Sequence, residues 1–228
     1  MHLKAYGQLL QPPRNINYLN MKNTITCLIV GFISIIGYSQ DKEEVIEPKD
    51  SLKMTQQRDM EAMIAKFKAV ATYPVVEAGP FSGIVPVEEV TEIPDPNLDY
   101  KLMFELTKDK TDSLSGMNAD LVEIARVLNL HVASGIPKEK LFPVIVVHGP
   151  ALNAFTTDVF YNEKFKKDNP NLKLIQDLEA LGAKYIACAQ AMFFFDVNKE
   201  ALLPNFKVSL TAQTVLSSYQ MKGYVKYW

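Results

Sequence analysis

Val144-Ile145-Val146-Val147 sets four β-branched residues side by side. Successive side chains in a strand point to opposite faces. A run without polar alternation therefore needs apolar cover on both faces, and a parallel sheet sandwiched between helices supplies it. The run lies in a strand expected over Leu141–His148. Further strands are expected at Tyr100–Leu106, Lys184–Cys188, Phe206–Leu210 and Tyr224–Tyr227.

The intervening segments carry helical spacing. Leu121, Ile124, Ala125, Leu128 and Val132 form one buried stripe, with Asp120 and Glu123 reading as a capping box and Gly135 as the stop. Asn169-Pro170 reads as an N-cap and N1 proline before Leu174, Ile175, Leu178 and Leu181. Short helical pieces are expected at Ala151–Thr156, Val159–Phe165 and Lys199–Leu203, and a helix at Ala212–Met221. Strands alternating with helices define an α/β domain with a doubly wound, five-stranded parallel sheet. Right-handed crossovers favour the flavodoxin-like strand order 2-1-3-4-5.

This domain is expected over 98–228. Ahead of it, 40–97 reads as a charged tail, an amphipathic helix over Leu52–Val70 and a proline-rich extended arm. Met60, Met63, Ile64, Phe67 and Val70 share one helical face, expected to pack on the domain. Pro74, Pro80, Pro86, Pro94 and Pro96 break up the arm, which has room for a short edge strand near Gly83–Val87.

Residues 1–39 read as an upstream extension and a leader. Met21-Lys22-Asn23 opens a charged n-region, Ile25–Ile36 is apolar, and Gly37-Tyr38-Ser39 fits a cleavage site. The apolar run is shorter than the ~20 residues of a spanning helix. The expectation is export to the periplasm or the medium, with no membrane attachment after cleavage. The net charge of −2 includes three basic and no acidic residues in 1–40, which leaves 21 basic against 26 acidic in the rest. A mildly acidic body without a basic stripe argues against nucleic acid as a partner.

Cleavage removes Cys27 and leaves Cys188 as the lone thiol, without an intrachain disulfide partner. Such a thiol is a small core residue, a link to another chain, or a reactive group. Ligands bind open parallel sheets beyond the carboxyl ends of the strands, where His148 and Cys188 both stand. In the 2-1-3-4-5 order strand one separates them by about 10 Å, two strand spacings. An imidazole there would favour the thiolate; otherwise His148 serves as a turn residue before Gly149-Pro150. Gln190 is a polar neighbour in the same crevice. His131 reads as a satisfied core histidine, and Phe193-Phe194-Phe195 as core or interface.

Other chemistries lack their residues. There is no Cys-x-x-Cys, no zinc spacing, no Gly-x-Gly-x-x-Gly, no P-loop and no Gly-x-Ser-x-Gly. The Thr107–Ser113 loop is rich in hydroxyls but has no glycine before Gly116, a weak basis for a flavin phosphate site. No cofactor and no metal are expected.

Asp99-Tyr100-Lys101-Leu102-Met103-Phe104, Asn129-Leu130-His131-Val132-Ala133-Ser134-Gly135, Val146-Val147-His148-Gly149, Asn169-Pro170-Asn171-Leu172 and Tyr185-Ile186-Ala187-Cys188-Ala189-Gln190 together resemble the exported branch of the DsrE/DsrF-like family over roughly 74–228. The resemblance implies a flavodoxin-like fold and a homo-oligomer, with dimers, trimers and hexamers known in the family and a trimer among the expectations here. It also implies a sulfur-relay role, with a persulfide on Cys188 and a small sulfur species as substrate. The expected pocket residues are His148, Gln190, Ala189 and Gly149; Ala189 stands where exported relatives usually have glycine. The other reading is a non-catalytic module that binds a small ligand or assembles through the same crevice.

Overall fold

The computed structural model describes residues 48–228, with side chains described from Leu52 onward. The leader and upstream extension expected within 1–39 lie outside the described residues.

The element order is α1 (Pro48–Val70), β1 (Tyr100–Leu106), α2 (Ala119–Ala133), β2 (Leu141–Val147), a 3-10 segment (Gly149–Phe155), α3 (Asp158–Phe165), α4 (Leu172–Ala180), β3 (Lys184–Cys188), α5 (Ala189–Phe194), β4 (Lys207–Ser209), α6 (Ala212–Met221) and β5 (Val225–Lys226). All five strands are parallel, and helices flank the sheet as in flavodoxin-like folds.

The strand order is β4-β3-β2-β1-β5, not the expected 2-1-3-4-5. The reason lies in the valine run. Val144, Ile145, Val146 and Val147 are each 0% exposed, a degree of burial that an edge strand does not reach. β2 therefore takes the centre, with β1 on one side and β3 on the other. Pro143 is tolerated there because only β1 pairs at that level: Leu102 faces Pro143, and β3 joins one residue later, at Val144.

The pleat sorts the side chains onto two faces. Phe104, Ile145 and Tyr185 are paired across β1, β2 and β3 and share a face. Tyr185 donates its hydroxyl to the Ile175 carbonyl of α4 (2.9 Å), and α4 packs beside α2. The opposite face carries Lys101, whose ammonium reaches the Lys222 carbonyl at the end of α6. Glu105, Val146, His148, Ile186 and Cys188 alternate onto this second face.

Four local expectations change. The cap of α2 is Asn118, whose Oδ1 accepts from the amides of Asp120 and Leu121. Two residues nearer the helix, Asn171 takes the N-cap position of α4 from Asn169. Lys199–Ala201 forms only a turn, and the chain then extends so that Leu202 bridges Thr156. The edge strand in the arm reduces to a single bridge between Thr72 and Ile84.

The methionine face of α1 does not pack on the domain either. Met60, Met63 and Val70 are exposed, and Ile64 and Phe67 are partly covered. Helical periodicity shows that a face can be buried; it does not provide the surface that buries it. The arm is buried at Val76, Ala78, Ser82 and Ile84. Asn129 in α2 holds it. The Asn129 side chain accepts from the amides of Val75 and Val76 and donates to the carbonyls of Val76 and Ser82.

Asn129→Ala should therefore lower unfolding stability by roughly 3 kcal/mol, since several buried backbone groups lose their partners together. Chemical denaturation should show the loss, and limited proteolysis should show faster cutting within 71–97. Unchanged cutting would mean that Asn129 does not anchor the arm.

Candidate functional site

β2 and β3 end level with each other. Val147 pairs with Ala187, so His148 and Cys188 follow at the heads of adjacent strands and point to the same face. Their backbones are one strand spacing apart, about 4.8 Å. The expected separation of about 10 Å assumed β1 between them, and the observed strand order removes it. On its far side Cys188 pairs with Ser209 of β4.

His148 is held from two directions. Its amide donates to the Leu106 carbonyl (2.9 Å), and its ring Nε2 lies 2.8 Å from Glu105 Oε1. The imidazole is thus tied to a carboxylate and not to its own turn. Glu105 also pairs with Lys226 of β5. Burial pushes the Glu105 carboxyl up. Hydrogen bonds from Lys226 and His148, with the charge they carry, outweigh it and hold the group below the usual carboxylate range. With Nε2 bonded to Glu105, the other ring nitrogen, Nδ1, makes no hydrogen bond among the described residues. No hydrogen bond joins His148 to Cys188 among the described residues.

Gly149 turns the chain immediately beyond His148, with φ 62°. A Cβ there would stand 2.9 Å from the Thr107 carbonyl oxygen. Glycine is required both by the left-handed backbone and by this close approach. The β1 and β2 ends are thereby brought together at the rim.

Cys188 is buried, 5% exposed, within the continuous core. The chain passes from it directly into α5. Ala189 is half-buried at the start of α5, and Gln190 is exposed, its amide donating to the Leu210 carbonyl. Ala191 and Met192 are buried, whereas Phe193 and Phe194 are exposed. The rim thus brings His148, Gly149 and Cys188 together, and Gln190 faces solvent at its margin.

Glu105 and Lys226 are the residues that sequence reading missed. Glu105 did leave a signal, as a lone acid between Phe104 and Leu106 near the carboxyl end of a strand. Lys226 left none, because its role depends on β5 lying next to β1.

His131 is half-buried at the surface end of α2 and not in the core. Its Nδ1 donates to the Val127 carbonyl at 2.7 Å, and its Nε2 is the acceptor facing the Tyr227 hydroxyl at 3.4 Å. The expectation of a satisfied histidine holds there.

No family model matches the chain, and no curated protein matches it. Among solved structures it is similar to MTH1491 from Methanobacterium thermoautotrophicum, described as a protein of unknown function, at 18% identity and a TM-score of 0.43. The match covers 56% of this chain and 99% of that one. The fold assignment rests on the sheet itself.

The Glu105 cluster has a testable electrostatic signature. A carboxyl held below its unfolded pKa contributes stability above that pKa and loses it as pH falls through the folded value. The native chain should lose stability on acidification below about pH 4, near the unfolded value for glutamate. Glu105→Gln should be less stable at neutral pH by about 1–2 kcal/mol and show a shallower acid loss. Parallel acid profiles for the two proteins would rule out this role for Glu105.

Proposed function

We propose that this chain is an exported DsrE-like sulfur carrier that holds a persulfide on Cys188. The observation that carries the reading is the pair of adjacent strand ends: His148, anchored by Glu105, and Cys188 on the same face one strand apart. This is the order of parts an activated thiol uses, with an acid orienting a base beside a nucleophile.

In the proposed step the Cys188 sulfur attacks the terminal sulfur of a low-molecular-weight persulfide, R–S–SH. A new S–S bond forms to Cys188 and the donor's own S–S bond breaks, releasing the R–S group as the thiolate. His148 takes the thiol proton at Nδ1 and returns it to the departing thiolate. The products are the Cys188 persulfide and R–SH, with no net redox change. Because Cys188 is buried, the donor enters when α5 moves off the rim. The leader places the carrier outside the cytoplasm, with the mature chain starting at Gln40.

Incubation with a persulfide donor should add the mass of one sulfur atom to the peptide containing Cys188. The adduct should be absent in Cys188→Ser and should form about 100-fold more slowly in His148→Ala, the usual range for losing a general base. A native protein whose thiol reacts only after unfolding would sink the proposal.

The second reading is an assembly module, favoured by the burial of Cys188 together with Phe193, Phe194 and Leu210 at 79%, 74% and 73% exposure. In that case these side chains bury against a second copy, and Cys188 is packing. The oligomer, a trimer or another closed form, should then survive Cys188→Ser. It should dissociate in the Phe193→Ser/Phe194→Ser double variant, as read by light scattering.

A further inference from the structure

A cavity of about 500 Å³ lies on the α2 side of β1 and β5, away from the β2–β3 rim. Its wall is a row of touching rings. Tyr100 meets His131 edge to face at 5.5 Å, His131 meets Tyr227 at 6.2 Å, and Tyr227 meets Trp228 edge to face at 6.0 Å. Val127, Leu130 and Ile136 complete the apolar lining. Sites of this volume hold small ring systems.

Two polar tips of the wall are engaged, while the buried Trp228 indole N–H has no hydrogen-bond partner among the described residues. Tyr100 donates its hydroxyl to the Asp95 carbonyl, and the Tyr227 hydroxyl faces the His131 acceptor nitrogen. At the side of the cavity Arg126 uses Nε and Nη2 on the Glu123 carboxylate. A guanidinium has five N–H donors in a fixed fork, so the Nη1 hydrogens remain for a ligand. Because neighbouring rings touch, they form a curved wall and not a box around a cation. Each Glu123 oxygen already accepts from Arg126, so its charge is offset by the guanidinium beside it.

The roof is loose. Pro94 closes one side of the cavity from the arm. Among the described residues, the segment from Val85 to Pro96 makes its hydrogen bonds to the sheet domain through the Asp95 carbonyl, which accepts from the Tyr100 hydroxyl and the Leu98 amide. Val90 and Ile93 on this strap are exposed, 54% and 69%.

We infer that this cavity is a second site, independent of Cys188, for a planar aromatic molecule carrying a hydrogen-bond acceptor or an anionic group. The rings stack on the ligand face, and Arg126 takes its acceptor.

The chain contains a single tryptophan, so Trp228 reports on this cavity directly. The probes are 8-anilinonaphthalene-1-sulfonate and its counterpart without the sulfonate, N-phenyl-1-naphthylamine, titrated into the mature full chain. Both should quench Trp228 by saturable energy transfer at one probe per chain. Tyr227→Leu should weaken both at least tenfold. Arg126→Gln changes an exposed side chain with little risk to folding, and it should weaken the sulfonate about tenfold while leaving the neutral probe unchanged. Cys188→Ser should bind both as the native chain does, which separates this site from the sulfur-carrier reading. Non-saturable binding, or affinities unchanged in Tyr227→Leu but lost in Phe193→Ser/Phe194→Ser, would overturn the site. Equal effects of Arg126→Gln on the two probes would overturn the ligand class.

Discussion

Three buried asparagines hold the carboxyl-end rim of the sheet, and the candidate site depends on them. Asn169 donates to the carbonyls of Ala154 and Thr156 at the end of the segment that follows β2. Its Oδ1 accepts from the amide and the side chain of Asn171 at the start of α4. Asn171 Oδ1 in turn accepts from the Asn118 amide at 2.7 Å. Asn118 caps α2 and donates to the Lys108 carbonyl in the loop after β1. All three residues are at most 5% exposed. An amide side chain both donates and accepts, so it can satisfy backbone groups of either kind without burying a charge. The loops after β1 and β2 and the start of α4 are therefore tied into one network. A buried network of this kind stabilises one arrangement because any partial version leaves unpaired groups in a low dielectric.

The rim chemistry follows from that frame and from the pleat. With β2 central, every second residue of β1, β2 and β3 lands on one face, and Glu105, His148 and Cys188 all belong to that set. Glu105 reaches forward to His148 and sideways to Lys226. One carboxylate with two donors is better satisfied than a bare pair. The arrangement fixes the imidazole ring and leaves its other nitrogen uncommitted. Gly149 is the hinge of this geometry, since a side chain at that position would push the β2 exit away from Thr107.

Much of the fold was legible in the sequence because it is local. The stripe Leu121, Ile124, Ala125 and Leu128 is wholly buried, and α6 and β1 begin and end where their patterns do. Strand order was not legible. Right-handed crossovers permit both 2-1-3-4-5 and the observed 4-3-2-1-5, and the choice turns on how deeply each strand is buried. The unbroken run Val144–Val147 carried that information, since only a strand paired on both sides seals four successive residues. The asparagine frame was illegible for another reason. Asn169 read as a simple N-cap, the commonest local use of asparagine, and Asn118 and Asn171 drew no reading of their own, because the partners of all three include groups far apart in sequence. Of the site, His148 and Cys188 could be placed on the rim from their strand ends. Their adjacency, and the part played by Glu105 and Lys226, required the sheet.

The burial of Cys188 bears on its proposed use through α5. A helix of six residues has too few internal hydrogen bonds to persist alone. Its place on the rim is held by Ala191 and Met192, which are buried, while Phe193 and Phe194 touch each other and are largely exposed. β4 beyond it has three residues and pairs only with β3. The cover over the thiol is thus less firmly tied than the asparagine-bound loops on the other side of β2, and local opening should cost less than global unfolding. A carrier that holds a persulfide needs this combination. Closed packing shields the sulfur from water and stray thiols, and a weak cover lets a donor or acceptor in. The same exposed phenylalanines that leave α5 loose on the isolated chain would tighten it against a second copy, so assembly would set how often the thiol opens.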